Sequence, residues 1–459
     1  MKRRNGETEK RRKREVAVSP SRRLADSRAV LAALRDYESR NVTFIEPDGS
    51  WPIVWERAKG VHVWDAEGKK YLDLTAAFGV AAAGHANPAV VRAGQKQMAK
   101  LLHVMGDVHP HALKAQLARE LSGITFERWA KSAPSSALRT PRSGKVIFNN
   151  SGFEAVEAAL KTAMLGTGKS GIIAFEGAYH GLGYGALNAT HRGHFRGPFR
   201  SQLREFGSFL PFPKTEADLR SLVLAAKMMF RHEKIGAILV EPIQARGGIN
   251  IPPPDFLPLL RRLCDEHGAL LILDEIYTGF GRTGKWFACE HGGVVPDIIC
   301  LGKALTGGFP LSACVGRADV MDAAWPESQG EAIHTSTFLG HPVGCAMALA
   351  QMAEIKRLNL CERSARLGAR LLELLSTVNY QPSTVRGLGL MAGVELLNTD
   401  GSPATAESLR VIKEMLHRGF ILLPEGEHAN VISFTPPLTI MEVQLKRTAT
   451  ELQKALNHG

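Results

Sequence analysis

At 459 residues and 49.9 kDa the chain exceeds the ~250–300 residues at which one hydrophobic core stops growing, which predicts more than one domain and excludes a peptide or a disulfide-stapled mini-protein. With 44% hydrophobic and 22% charged residues and a mean hydropathy of −0.08, it is neither disordered nor collagen-like. The net charge of +12 is unevenly placed: residues 1–23 hold ten Lys or Arg against three Glu, a net +7, and the rest of the chain carries +5.

That basic block lacks apolar anchors, so residues 1–25 are expected to be a disordered, solvated tail, with contact to nucleic acid as the less favoured reading. No run of eighteen apolar residues occurs, which excludes a membrane-spanning helix, and the charged start has no apolar signal region. The six cysteines all lie past the midpoint without a C-x-x-C pair, which points to buried thiols in a reducing, cytoplasmic setting and to no metal site.

Val30 to Tyr37 reads as a helix, and Val54 to Leu74 as short antiparallel strands around the turn Asp65-Ala66-Glu67-Gly68. From about residue 90, helices alternate with short apolar strands. The strand Lys145–Phe148 precedes the helix Glu154–Leu165, and a strand Ile172–Phe175 follows. The strand Ala237–Val240 precedes the helix Asp255–His267, and the strands Leu270–Leu273 and Ile298–Leu301 come next. Uninterrupted apolar strands separated by helices predict an α/β fold with a mostly parallel sheet covered on both faces. Beyond about Thr337, the helices Gly344–Leu358 and Ala406–Arg418 and the strands Met391–Leu396 and Val431–Phe434 predict a smaller α+β domain.

Ligands of open α/β sheets sit at the carboxyl ends of the strands, and four such ends carry distinctive residues. Leu270–Leu273 runs into Asp274, and Ile298–Leu301 into Gly302 and Lys303. A carboxylate and an amine so placed suit a pyridinium cofactor, the carboxylate keeping the ring nitrogen protonated and the amine binding the aldehyde; a structural salt bridge accounts for the pair equally well. Asn150-Ser151-Gly152-Phe153-Glu154 turns from strand to helix as a phosphate cradle would, or as an ordinary serine N-cap. Tyr179, before His180 and Gly181, is placed to stack on a flat ring or to pack in the core. The glycines Gly181, Gly183 and Gly185 lack the dinucleotide-loop spacing.

Taken together, Asp274–Gly284, Pro296–Ile299 and Leu301–Gly308 resemble the signature of class III pyridoxal-phosphate aminotransferases, of the ornithine, 4-aminobutyrate and ω-amine type. The resemblance extends through Asn150–Gly152, Tyr179–Gly181, Glu241–Gln244, His334–Phe338 and Phe434–Leu438, and covers about residues 50–455. It implies the fold-type I, aspartate-aminotransferase-like architecture. Residues 81–336 would be the large cofactor domain, with a small domain from 26–80 and 337–459. It implies that pyridoxal 5′-phosphate is bound to Lys303, that Asp274 pairs with the ring nitrogen and that Tyr179 stacks on the ring. Ser151, Gly152 and Phe153 would hold the phosphate, with His180, Glu241, Ile276 and Tyr277 around the ring and substrate. Thr337 would reach the phosphate of a second copy, which makes the protein a homodimer or a tetramer of dimers.

Departures from the family bear on the substrate. Phe153 stands where a hydroxyl residue or Ala is usual, and Tyr277 where Gln usually meets the ring hydroxyl. Leu182 and Ser433 stand where members acting on amino acids carry arginines, and Leu422 to Val431 offers no arginine but Glu425, Glu427 and His428. Arg246 is either a replacement anchor or a solvent-facing structural arginine, and Phe78 either a pocket wall or a core residue. An unpaired buried carboxylate is costly, so the expected donor is an apolar primary amine or a diamine in preference to an ω-amino acid, with a keto acid or aldehyde as acceptor. The alternatives are decarboxylation, epimerisation or internal amino transfer on the same scaffold, or a non-catalytic regulatory protein that binds the cofactor.

Overall fold

The computed structural model describes residues 26–132 and 143–457, and the expected basic tail over 1–25 lies outside them. The described chain divides into two compact units. The smaller holds residues 26–57 and 64–70; in it the helix Ser27–Tyr37 is capped by Asp26, and the Ser27 hydroxyl donates to Glu67 at 2.7 Å.

The larger unit, residues 58–63 and 71–457, is built on a seven-stranded sheet. From one edge the strands are Gly144–Asn149, Ser312–Arg317, Ile298–Leu301, Leu270–Asp274, Ile235–Val240, Gly171–Phe175 and Gly207–Leu210. Only Ser312–Arg317 runs antiparallel to its neighbours, so the other six share one direction. All five strands expected here are present. The two missed ones are the edge strand Gly207–Leu210, which is only half buried, and the reversed strand Ser312–Arg317, whose small residues make no apolar run.

The helix Gly152–Thr167 lies on this sheet because its inward positions are small. Ala155, Ala158, Ala159 and Ala163 are buried against Ile172, Leu239, Ile272 and Cys300. Each Ala lets the helix approach closely without leaving a void. The helix ends at Gly168, whose φ of +67° costs a glycine little.

Further along, Ser383–Gly387, Ala392–Leu396, Val431–Phe434 and Leu423–Glu425 form an antiparallel sheet. It is flanked by the helices Leu360–Ser376, Thr405–His417 and Glu442–Asn457. The expected opening piece is less local than the sequence suggested: Leu72 and Asp73 pair in parallel with Phe420 and Ile421. All six cysteines are free, and no described helix is long and apolar enough to cross a membrane.

Candidate active site

Five of the six co-directional strands deliver a candidate residue to the carboxyl end of the sheet, where a cavity of about 550 Å3 opens. Asp274, Lys303, Tyr179, His180 and Glu241 line it, together with Gly152, Phe153, Ile276 and Tyr277. So do Phe78, Leu182 and Arg246.

The turn before the helix Gly152–Thr167 is held from three sides. Glu154 accepts hydrogen bonds from the N–H groups of Asn150 and Ser151 at 2.8 and 2.7 Å. The Ser312 hydroxyl donates to the Ser151 carbonyl at 2.6 Å, and the Asn150 amide donates to Ser336 at 3.3 Å. Ser151 thus caps from outside the lining, while Gly152 and Phe153, in the first helical turn, bring N–H groups without an intrahelical acceptor to the cavity. A Cβ on Gly152 would lie 3.0 Å from the Ile276 side chain, so a larger residue there would have to displace that side chain.

Phe153 is accommodated by glycines opposite it. A Cβ on Gly181, whose φ is +111°, would lie 2.3 Å from the Phe153 Cβ, and one on Gly183 would lie 2.5 Å from its ring. Gly181→Ala is expected to cost roughly 2–5 kcal/mol, from about 1–3 for overpacking and about 1–2 for the left-handed backbone. Chemical denaturation of the variant checks this; a loss below about 1 kcal/mol would mean that the Phe153 wall yields.

Asp274 is buried, and both its oxygens are oriented. Oδ2 meets His180 Nδ1 at 2.8 Å, and Oδ1 accepts the Ile276 N–H at 3.1 Å. His180 Nε2 is buried without a hydrogen-bond partner among the described residues. Lys303 has a φ of +38°, a left-handed conformation that costs a side-chain-bearing residue on the order of 1–3 kcal/mol and marks functional sites. Its Nζ lies 4.5 Å from the Tyr277 ring centroid and makes no hydrogen bond or ion pair among the described residues. Burial lowers its pKa, opposed by Asp274 and Glu241, which favours the neutral, nucleophilic amine.

Tyr277 shares a 3.1 Å hydrogen bond with the Thr435 hydroxyl, and burial pushes its pKa up to about 12, so the phenol stays protonated. The Ala76–Gly79 turn presses on its ring; a Cβ on Gly79 would lie 2.9 Å from it. Phe78 in that turn is 48% exposed and lines the cavity, so it is no core residue. Glu241 is buried, with one oxygen accepting the Tyr179 N–H at 3.0 Å and the other the Ala245 N–H at 3.1 Å. Burial pushes its pKa up to about 7. These bonds make it a clamp on the Tyr179 backbone.

Arg246 does not simply face solvent. It lines the cavity with its guanidinium carbon 5.4 Å from the Tyr179 ring centroid and its Nε 3.4 Å from Glu425 Oε2. Ser433 does not reach the cavity lining: its hydroxyl donates to the Leu423 carbonyl at 2.9 Å within the sheet. Thr337 is exposed and also outside the lining of its own chain's cavity. Glu425, one of three polar residues noted in its segment, gained its meaning only when folding brought it to Arg246.

The donor set fits pyridoxal phosphate. An unpaired amine suits the aldehyde, an oriented carboxylate a protonated ring nitrogen, and free helical N–H groups the phosphate, while Tyr179 and Ile276 line the cavity with surface on which a ring could pack. The carboxyl end of this sheet therefore defines a pyridoxal-phosphate-dependent enzyme. Within that class the chain belongs to the class III aminotransferases, whose family model, "Aminotransferase class-III", matches residues 45–456.

It is 37% identical over 408 residues to the acetylornithine aminotransferase of Methanosarcina mazei, covering 89% of this chain and 92% of that one. It is 36% identical over 455 residues to the putrescine aminotransferase of Pectobacterium atrosepticum, covering 96% and 91%. Among solved structures, a transaminase from a marine Virgibacillus superposes with a TM-score of 0.84 at 27% identity, covering 94% of this chain and 98% of the other. The protein is a pyridoxal-phosphate-dependent transaminase that moves amino groups between small-molecule amines and keto acids.

Proposed function

We propose that this transaminase takes its amino group from a primary amine or diamine without a carboxylate, and that Lys303 and Asp274 are its catalytic residues. The observation that carries the substrate reading is that Arg246, the one cation lining the cavity besides Lys303 among the described residues, already has a carboxylate beside it in Glu425. Phe78 and Leu182 add an apolar wall.

When bound, pyridoxal phosphate supplies an aldehyde that takes up the amine and a ring that serves as electron sink. The N–H groups of Gly152 and Phe153 would hold its phosphate, Asp274 its ring nitrogen and Tyr179 its ring face. Lys303, whose pKa burial lowers, would accept a proton at Nζ from the donor carbon and return it on the far side of the nitrogen, to the carbon of the former aldehyde. His180 holds the Asp274 carboxylate in place throughout. We place the cofactor domain at 81–336, with Thr337 completing the phosphate site of a second copy in a cytoplasmic homodimer; the tether from Asn150 to Ser336, one residue before Thr337, supports a link between that loop and the phosphate turn.

The test compares kcat/KM for butylamine, 1,4-diaminobutane and 4-aminobutyrate with one keto acid. An arginine anchor for a carboxylate is worth ~1.5–3 kcal/mol, or roughly ten- to a hundredfold. Amine and diamine are expected to match or exceed 4-aminobutyrate, and a preference for 4-aminobutyrate of more than about tenfold would overturn the reading.

A further inference from the structure

We infer that Tyr277 is a positioning residue of the reaction: its hydroxyl is engaged within the protein, and its ring is the seat of the Lys303 nitrogen whenever that nitrogen carries a proton. The inference rests on the reading of Lys303 as the proton carrier given above, and names the residue that stabilises the charged half of its cycle.

A phenol has one proton to donate. The Tyr277 and Thr435 hydroxyls lie 3.1 Å apart, and Thr435 donates its own proton to the Thr75 carbonyl at 3.2 Å, so Tyr277 is the donor of the pair. Thr75 is fixed in turn. Asp73, which is buried, accepts from the Thr75 N–H at 2.8 Å and its hydroxyl at 2.6 Å, and meets His85 Nε2 at 2.7 Å. Tyr277, standing where the resemblance places a glutamine, therefore has no proton left for a ligand.

The ring is held as firmly as the hydroxyl. Thr75 opens the Ala76–Gly79 turn, in which Ala76, Ala77 and Phe78 have φ of +47°, +49° and +61°. Successive left-handed residues with side chains are costly and persist where a site requires them. What this turn achieves is the close approach of Gly79, on which a Cβ would lie 2.9 Å from a ring carbon of Tyr277. It thus fixes the ring at its oxygen, through Thr75 and Thr435, and at its carbons, through Gly79.

Lys303 Nζ lies over this ring, 4.5 Å from the centroid and inside the reach of about 6 Å for a cation–π contact. An ammonium formed there has no hydrogen-bond acceptor or ion-pair partner in contact among the described residues. Asp274, Glu241 and Glu425 attract its charge from a distance and Arg246 repels it, but burial is the largest influence and lowers the pKa. Asp274 and Glu241 are also engaged elsewhere, by His180 and the Ile276 N–H and by the Tyr179 and Ala245 N–H groups. The electron-rich ring is the contact that lets the amine charge without leaving the cavity. A base whose protonated form has such a seat titrates nearer the working pH, where proton transfer both ways is most efficient.

The test titrates the yellow absorbance of the holoenzyme with pH, whose midpoint reports the proton on the nitrogen that binds the cofactor. Tyr277→Phe keeps the ring and drops the hydroxyl, and Tyr277→Leu drops both. Phenylalanine analogues with one, two or three ring fluorines at position 277 keep the shape while withdrawing electron density from the ring. Tyr277→Phe is expected to leave the midpoint within about 0.3 unit and kcat within about threefold. Tyr277→Leu should lower the midpoint by about 0.5–1.5 units and kcat by roughly three- to thirtyfold, and each added fluorine should lower the midpoint further. A residue that only packs against the turn would not respond to fluorination in steps.

A midpoint unmoved by Tyr277→Leu, a shift in Tyr277→Phe as large as that in Tyr277→Leu, or no trend with fluorine would overturn the inference. Should Tyr277→Leu fail to fold, the fluorine series decides. Borohydride labelling of wild type separates the two levels. A label on another lysine ends the reading of Lys303 and the inference with it, whereas a label on Lys303 with unmoved midpoints ends the inference alone.

Discussion

Lys303→Ala is expected to abolish transamination while leaving the fold and part of the cofactor affinity intact. The amine makes no hydrogen bond or ion pair among the described residues, so its removal breaks no network. The Gly152 and Phe153 N–H groups, the Asp274 carboxylate and the Tyr179 ring do not depend on it. Alanine also occupies a φ of +38° no worse than lysine does. The lost function is that of a positioned proton carrier, which supports a fall in kcat of at least about 10²–10⁴-fold. Circular dichroism and cofactor titration separate this from unfolding, and partial rescue by added methylamine would show that the missing group is an amine. Activity within tenfold of wild type would remove Lys303 from the chemistry.

Asp274→Asn carries the second large effect. Asp274 ends the central strand Leu270–Asp274 with both oxygens oriented, one by His180 and one by the Ile276 N–H. The amide keeps the size but loses the charge; its NH2 group cannot accept the Ile276 N–H and so must face His180, whose Nδ1 would then have to accept. A preorganised charge aimed at the reacting group is worth about 10²–10³ in kcat, and that is the expected fall. Stability should change far less, because the side chain lies at the cavity and not within the packed interior of the sheet. A kcat near wild type would show that no ring nitrogen depends on this carboxylate.

What the sequence made legible follows from how buried parallel strands are written. Leu270–Leu273 and Ile298–Leu301 are covered on both faces, so they read as unbroken apolar runs, and the polar residues that end them stand out. Asp274 and Lys303 were therefore visible from pattern alone, and the family motifs turned a pairing that also suited a salt bridge into a site. Ser312–Arg317 escaped because Ser, Ala, Cys and Gly give little hydrophobic signal, although the strand is almost wholly buried.

Single-residue comparison with the family had a sharper limit. Ser433 stands where the resemblance places an arginine; its hydroxyl is tied to the Leu423 carbonyl and it does not reach the cavity lining, as its motif position alone could not tell. Arg246 and Glu425 are far apart in sequence and neither lies in a periodic run. Tertiary contacts bring them together, among them the hydrogen bond from the Gly426 N–H to the Arg246 carbonyl, and no local pattern encodes those contacts.

The central claim is that the strand-end lysine in this cavity holds the cofactor. Borohydride reduction of the holoenzyme, followed by proteolysis and mass analysis, tests it most directly. The account predicts one modified peptide, containing Lys303 and carrying the reduced cofactor. Modification of any other lysine, or of none, would contradict it.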